Sequence, residues 1–212
     1  YGMKIRLYEK FDAKKCAQEI IKGTVTKMSV VAVMLENILS EMERIGQKAH
    51  PEFSTMLAGG GPVPIGYLER AEKLNLRVAQ TYGMTETASQ TATLANEDAM
   101  THIGSAGKPL FFNDIRIDAK DGEPIGEILI RGPHVTPKYI GQFKHKPTTI
   151  DGWLHSGDVG YLDGEGYLYV VDRRSDLIIS GGENIYPAEI ENVLIAHPHI
   201  KEARVCAMEH SI

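Results

Sequence analysis

Residues 55–86 read TMLAGGGPVPIGYLERAEKLNLRVAQTYGMTE, and their order decides the fold. Thr55 to Ala58 is a short strand candidate that runs into Gly59, Gly60 and Gly61. Pro64 suits a first helical position, where its missing N–H is harmless and its fixed φ is already helical. Ile65, Leu68 and Ala71 then fall on one helical face, and Leu76 to Thr81 forms the next strand. A strand, a helix of about ten residues and a second strand make the repeating unit of a parallel sheet, because parallel neighbours need a long crossover.

Upstream the same texture recurs. Ile5 to Tyr8 reads as a strand, and Asp12 as the cap of a helix with Ala13, Cys16, Ala17, Ile20 and Ile21 on one side, ended by Gly23. Val25 to Val30 is strand-like. Val31, Met34, Leu35, Ile38, Leu39 and Met42 then keep helical spacing until Gly46. After about residue 103 glycine and proline become frequent and short β-rich runs replace helices: Asp114 to Asp118, Glu127 to Arg131, Tyr167 to Val171, Leu177 to Ser180. A helix returns at Pro187 to His197, with Ile190, Val193 and Leu194 inward, and a strand from Ala203 to Met208 follows. The expected fold class is α/β. Residues 1–103 form a parallel-sheet portion of a large domain, 104–174 a β-barrel-like subdomain, and 175–212 a hinge with the start of a small α+β domain.

Composition narrows the partners. Of 212 residues 42% are hydrophobic and 24% charged, as in a globular chain. A formal charge of −5 argues against nucleic acid, whose binding needs concentrated positive charge. Phosphate ligands stay open, since loops and helix ends bind anions without a basic surface. Cys16 and Cys206 stand far apart in no metal-like spacing, which fits a reducing cytoplasm. His197 and His199 flank Pro198 and read as a helix-ending turn, not a metal site. No run approaches the roughly 20 apolar residues of a membrane span. The chain opens at Tyr1 without an initiator Met and reads as part of something longer.

Four stretches carry chemistry. Gly59-Gly60-Gly61 either makes a tight turn or bares backbone to a flat ligand. Tyr82-Gly83-Met84-Thr85-Glu86 sits at a strand end, where open α/β sheets bind ligands. An aromatic ring, a glycine, a hydroxyl and a carboxylate suit a base, a phosphate and a magnesium ion. The same residues also suit a buried tyrosine followed by a helix cap. In Gly152-Trp153-Leu154-His155-Ser156-Gly157-Asp158 the aspartate, between glycine turns, can accept two ribose hydroxyls or serve its own turn. In the long run from Asp172 to Glu191, the paired Arg173 and Arg174 suit a phosphate or a solvated turn.

Taken in order, the glycine triplet, YGMTE (82–86), GEILIRG (126–132), GWLHSGD (152–158) and DRRSDLIISGGENIYPAEIE (172–191) resemble the motif series of the adenylate-forming superfamily. That superfamily holds acyl-CoA synthetases, peptide-synthetase adenylation domains and luciferases. Within it, QTYGMTETASQ (80–90) and GSAGKPLF (104–111) are similar to the bacterial o-succinylbenzoate–CoA ligases. A fatty or aryl acyl-CoA synthetase, or a non-catalytic nucleotide-binding relative, is the alternative.

The resemblance implies ATP, Mg²⁺ and CoA as reaction partners of a small carboxylic acid, and it leaves homo-oligomer formation open. It implies that Tyr82 stacks on adenine and that Gly59 to Gly61 line the adenine and acyl pocket. It further implies that Thr85 bonds the α-phosphate and Glu86 binds Mg²⁺. Asp158 would hold the ribose, and Arg173 would reach the ribose and phosphate region. Ser175 would be the hinge, and Gly181 and Gly182 would line the pantetheine path. The family's upstream phosphate loop and late catalytic lysine are not in this sequence. Lys138 stands before Tyr139 where the family usually has a glycine.

Overall fold

The computed structural model describes residues 2–61, 63–140, 148–173, 178–180, 183–197 and 199–208. The elements run α1 (Ala13–Lys22), β1 (Lys27–Val30), α2 (Ala32–Ile45), β2 (Thr55–Ala58), α3 (Ile65–Lys73) and β3 (Val78–Met84). A 3₁₀ turn (Thr85–Thr87), β4 (Ser89–Thr93), β5 (Lys108–Pro109), β6 (Asp114–Asp118) and β7 (Gly126–Arg131) follow. The chain continues through β8 (Thr149–Ile150), β9 (Trp153–Leu162), β10 (Leu168–Arg173), β11 (Ile178–Ser180), β12 (Glu183–Ile185) and α4 (Pro187–Ile195).

β1, β2 and β3 pair in parallel, as the strand–helix–strand reading requires, and β4 and β5 extend the sheet antiparallel. The expected helix signals operate. Asp12 accepts the Lys15 amide at 3.1 Å, and Gly23 and Gly46 end α1 and α2 in the left-handed region. Pro64 is the residue before α3 instead of its first member. On α2, Leu35, Ile38, Leu39 and Met42 are fully buried against α1, α3 and the sheet. Each such side chain contributes about 1.5–3 kcal/mol of burial.

The second sheet is antiparallel, in the order β10–β9–β7–β6 with β8 on β9, and it curls into a half-barrel. Asp151 (φ 49°) and Gly152 (φ 80°) make the two-residue turn between β8 and β9. On this sheet two guanidiniums approach the Trp153 ring, Arg116 at 4.7 Å and Arg131 at 4.5 Å from its centroid. Neither Ile5 to Tyr8 nor Ala203 to Met208 is a strand. A strand is defined by its ladder, and among the described residues neither segment has a strand to pair with. Met3, Ile5 and Leu7 are accordingly exposed.

The two sheets are joined at Ser105, which is fully buried. Its hydroxyl donates to the Leu168 carbonyl at 2.8 Å and accepts the Gly107 amide at 2.9 Å. Its carbonyl accepts from the Gln80 side chain at 3.0 Å, so β3 and β10 are tied through one residue. Beside it Tyr167 stacks on His102 at 3.6 Å, with the Lys108 ammonium 4.3 Å from the Tyr167 ring. Ser105→Ala strands a buried N–H and is expected to lower stability by about 1–3 kcal/mol. Urea melts of the two proteins check this, and an unchanged midpoint would show that the junction does not depend on the hydroxyl.

Candidate active site

The carboxyl ends of β1, β2 and β3 open into a cleft of about 670 Å³. Gly59, Gly60, Thr81, Gly83 and Thr85 are among the residues lining it. The glycines are sterically required. A Cβ on Gly59 would lie 2.7 Å from the Thr81 methyl, and Gly60 holds φ +81°. Gly61 follows with φ +158° and open space around it. A Cβ on Gly83 would lie 1.7 Å from the Ser89 carbonyl oxygen, which no side chain tolerates. That approach arises because the β3–β4 register shifts between Tyr82 and Gly83, folding the chain back on itself at Met84 to Ser89.

Thr87 holds this turn. Its hydroxyl oxygen lies 3.0 Å from the Met84 amide and 3.0 Å from the Met84 and Ser89 carbonyl oxygens. Of the two readings open for this stretch, the cap therefore falls to Thr87, not to Thr85 or Glu86. Thr85 is left exposed at the cleft. Glu86 is half-buried; its carbonyl accepts the Thr136 amide at 2.7 Å and its carboxylate accepts the Tyr139 hydroxyl. That acceptance keeps the proton on Tyr139 and raises its pKa above the ordinary phenol range.

Tyr82 faces the other way from Thr81, as alternation along a strand demands. It is buried in the second apolar cluster with Ile128, Ile130 and Leu168, and its hydroxyl donates to Asp158 at 2.8 Å. Asp158 is not in a turn. It lies inside β9, 7% exposed, and its Cα pairs in register with Arg173 on β10. The fold thus gathers Gly59, Gly60 and Thr85 at one cleft and joins Tyr82 to Asp158 between the two sheets, with the Arg173 backbone in register beside Asp158. Ser175, Gly181 and Gly182 lie outside the described residues. Thr87, Tyr139 and Glu127 also bear on the site, a link the sequence does not show.

Among the described residues no three His, Cys, Asp or Glu side chains gather as a metal site. Glu86 offers a single partly exposed carboxylate beside a hydroxyl. That suits Mg²⁺, which takes one or two carboxylates and completes its shell with water and substrate phosphate.

A glycine-rich cleft at the carboxyl ends of a parallel sheet, lined by the Thr85 hydroxyl with the Glu86 carboxylate next in the chain, is the setting of a nucleotide-binding α/β enzyme. The chain belongs to the AMP-binding enzyme family, whose model matches residues 1–140. It is 51% identical over 217 residues to the 2-succinylbenzoate–CoA ligase of Geobacillus kaustophilus (strain HTA426), covering 99% of this chain and 44% of that protein. In three dimensions it resembles the o-succinylbenzoate CoA synthetase of Bacillus subtilis in complex with the acyl-adenylate intermediate OSB-AMP. That match has a TM-score of 0.84 and 44% identity, over 96% of this chain and 42% of that one. The same synthetase in complex with ATP and magnesium ion gives 0.84 and 44%, over 99% and 44%. The chain therefore spans less than half the length of these relatives.

Proposed function

We propose that this chain supplies a nucleotide- and acid-binding segment of an ATP-dependent acid–thiol ligase of the 2-succinylbenzoate–CoA type. The observation that carries this is its 51% identity, along nearly its whole length, to a protein of that name. The exposed Thr85 at the cleft, with the half-buried Glu86 next to it in the chain, adds to it. In the reaction a carboxylate of the acid attacks the α-phosphorus of ATP, giving an acyl-adenylate and pyrophosphate. The CoA thiol then attacks the acyl carbon and AMP leaves. Both steps rest on positioning and on offsetting charge at the phosphates.

In this reading Thr85 donates its hydroxyl to an α-phosphate oxygen from the cleft rim. Glu86 would hold Mg²⁺, which when bound supplies neutralising charge at the phosphates. Gly59 to Gly61 let the flat base and acyl group lie against bare backbone. Tyr82 presents its ring to the adenine, Asp158 accepts the ribose hydroxyls, and Arg173 serves the ribose and phosphate. Ser175 as hinge, and Gly181 and Gly182 along the pantetheine path, complete the proposal. A cytoplasmic location is part of it, supported by the free thiols of Cys16 and Cys206. Among the described residues no helix is long and apolar enough to cross a membrane.

The test is product analysis by mass spectrometry on the full-length protein with ATP, CoA and 2-succinylbenzoate, beside benzoate and octanoate. The expected products are 2-succinylbenzoyl-CoA, AMP and pyrophosphate. Turnover of octanoate alone would reject the acid, and no AMP from any of them would reject the ligase.

A further inference from the structure

The β7–β9 ladder contains an irregularity that the site depends on. Glu127 pairs with Val159 and Leu129 with His155, so the single residue Ile128 faces three residues, Ser156, Gly157 and Asp158. Two extra residues on β9 make a bulge within the strand, ending at Asp158. Gly157 adopts φ +74° to allow it. A bulge takes backbone amides out of the ladder, and buried amides need other acceptors. Here side chains supply them. Glu127 Oε1 accepts the Gly157 amide at 3.1 Å, and Ser156 Oγ accepts the Asp158 amide at 3.0 Å. Ser156 Oγ in turn donates to the Ile128 carbonyl at 2.6 Å, and Glu127 Oε2 lies 3.2 Å from His155 Nδ1.

The Glu127 side chain is only 10% exposed. Removing a carboxylate that far from water is costly, and here the hydrogen bonds to the bulge offset the cost. Its bonds on this strand fall on His155 and Gly157, the turn of backbone that aims Asp158 inward at Tyr82.

We infer that Glu127, with Ser156, is a positioning residue that sets Asp158 and so determines how the site reads the ribose of its nucleotide. The inference rests on the proposed ribose role of Asp158. It predicts more than a loss of activity. A residue that merely supports the sheet would, when removed, weaken ATP and its deoxy analogues alike. A residue that aims Asp158 would weaken ATP selectively, because only ATP has both hydroxyls to lose contact with.

The experiment measures kcat/KM for pyrophosphate release in the full-length protein with ATP, 2′-deoxy-ATP and 3′-deoxy-ATP. The unaltered protein should prefer ATP, and Asp158→Asn should erase the preference. Glu127→Ala and Ser156→Ala should each cut the preference by about tenfold, the scale of one hydrogen bond to a charged acceptor. Glu127→Gln keeps an acceptor for the Gly157 amide and should recover part of it. If Glu127→Ala yields no folded protein, Ser156→Ala decides the matter by itself. Should Asp158→Asn erase the preference while the folded alanine variants keep it, the positioning role is wrong and the ribose role stands. Should Asp158→Asn keep it, the ribose role fails and the positioning role with it.

Discussion

Glu86→Gln in the full-length protein is expected to slow adenylation by about 10²-fold or more, roughly 2.7 kcal/mol of lost transition-state stabilisation. The amide keeps the shape of the side chain and removes the charge. The Tyr139 hydroxyl still finds an acceptor, and the Thr136 amide still bonds the backbone carbonyl of residue 86. The turn itself is held by Thr87, so the melting temperature should stay within a few degrees. The apparent magnesium requirement should rise. Single-turnover pyrophosphate release across a magnesium titration reads both quantities. An unchanged rate at limiting magnesium would remove Glu86 from the chemistry and leave it as a support for Tyr139.

Asp158→Asn is expected to lower kcat/KM for ATP by about 30-fold or more, near 2 kcal/mol, because ribose hydroxyls lose an ionised acceptor. The choice of asparagine follows from burial. Asp158 is 7% exposed and accepts the Tyr82 hydroxyl, so alanine would also leave a gap beside a buried ring. Asparagine keeps the volume and an oxygen for Tyr82, and it separates recognition from folding. Nucleotide titration and thermal melting on the same preparation test the separation. A collapse of the fold with no change in the affinity of the remaining folded fraction would make Asp158 a residue of structure alone.

The sequence disclosed what is local. The helix caps at Asp12, Gly23 and Gly46, the apolar stripe of α2 and the parallel β1–β2–β3 unit all follow from spacings within a few residues. The glycine triplet and the Tyr82 to Glu86 stretch were legible as candidates for the same reason. What stayed hidden depends on partners distant in the chain. Tyr82 meets Asp158 across 76 residues, Tyr139 meets Glu86 across 53 and Glu127 meets Gly157 across 30, and no periodicity records such pairs. β9 escaped notice because Gly157, Asp158 and Gly160 break its alternation, and the bulge that explains them is visible only against β7. On that account the sequence places Asp158 between glycine turns, with a ribose role and a turn role both open. The apolar alternation at Met3, Ile5 and Leu7 misled in the opposite direction, since a pattern fit for a strand does not supply a neighbour to pair with.

Trp153 is the one tryptophan of this chain, and it lies against guanidiniums carried by β6 and β7. Its indole therefore works as an optical gauge of the half-barrel. Separation of β9 from β7 removes a cation from the ring and admits water, and both change the emission. The helical layer around α2 contains no tryptophan and registers instead in far-ultraviolet circular dichroism. Following the two signals through one denaturant series tells whether the half that carries Asp158 lets go with the half that carries the glycine cleft, or before it.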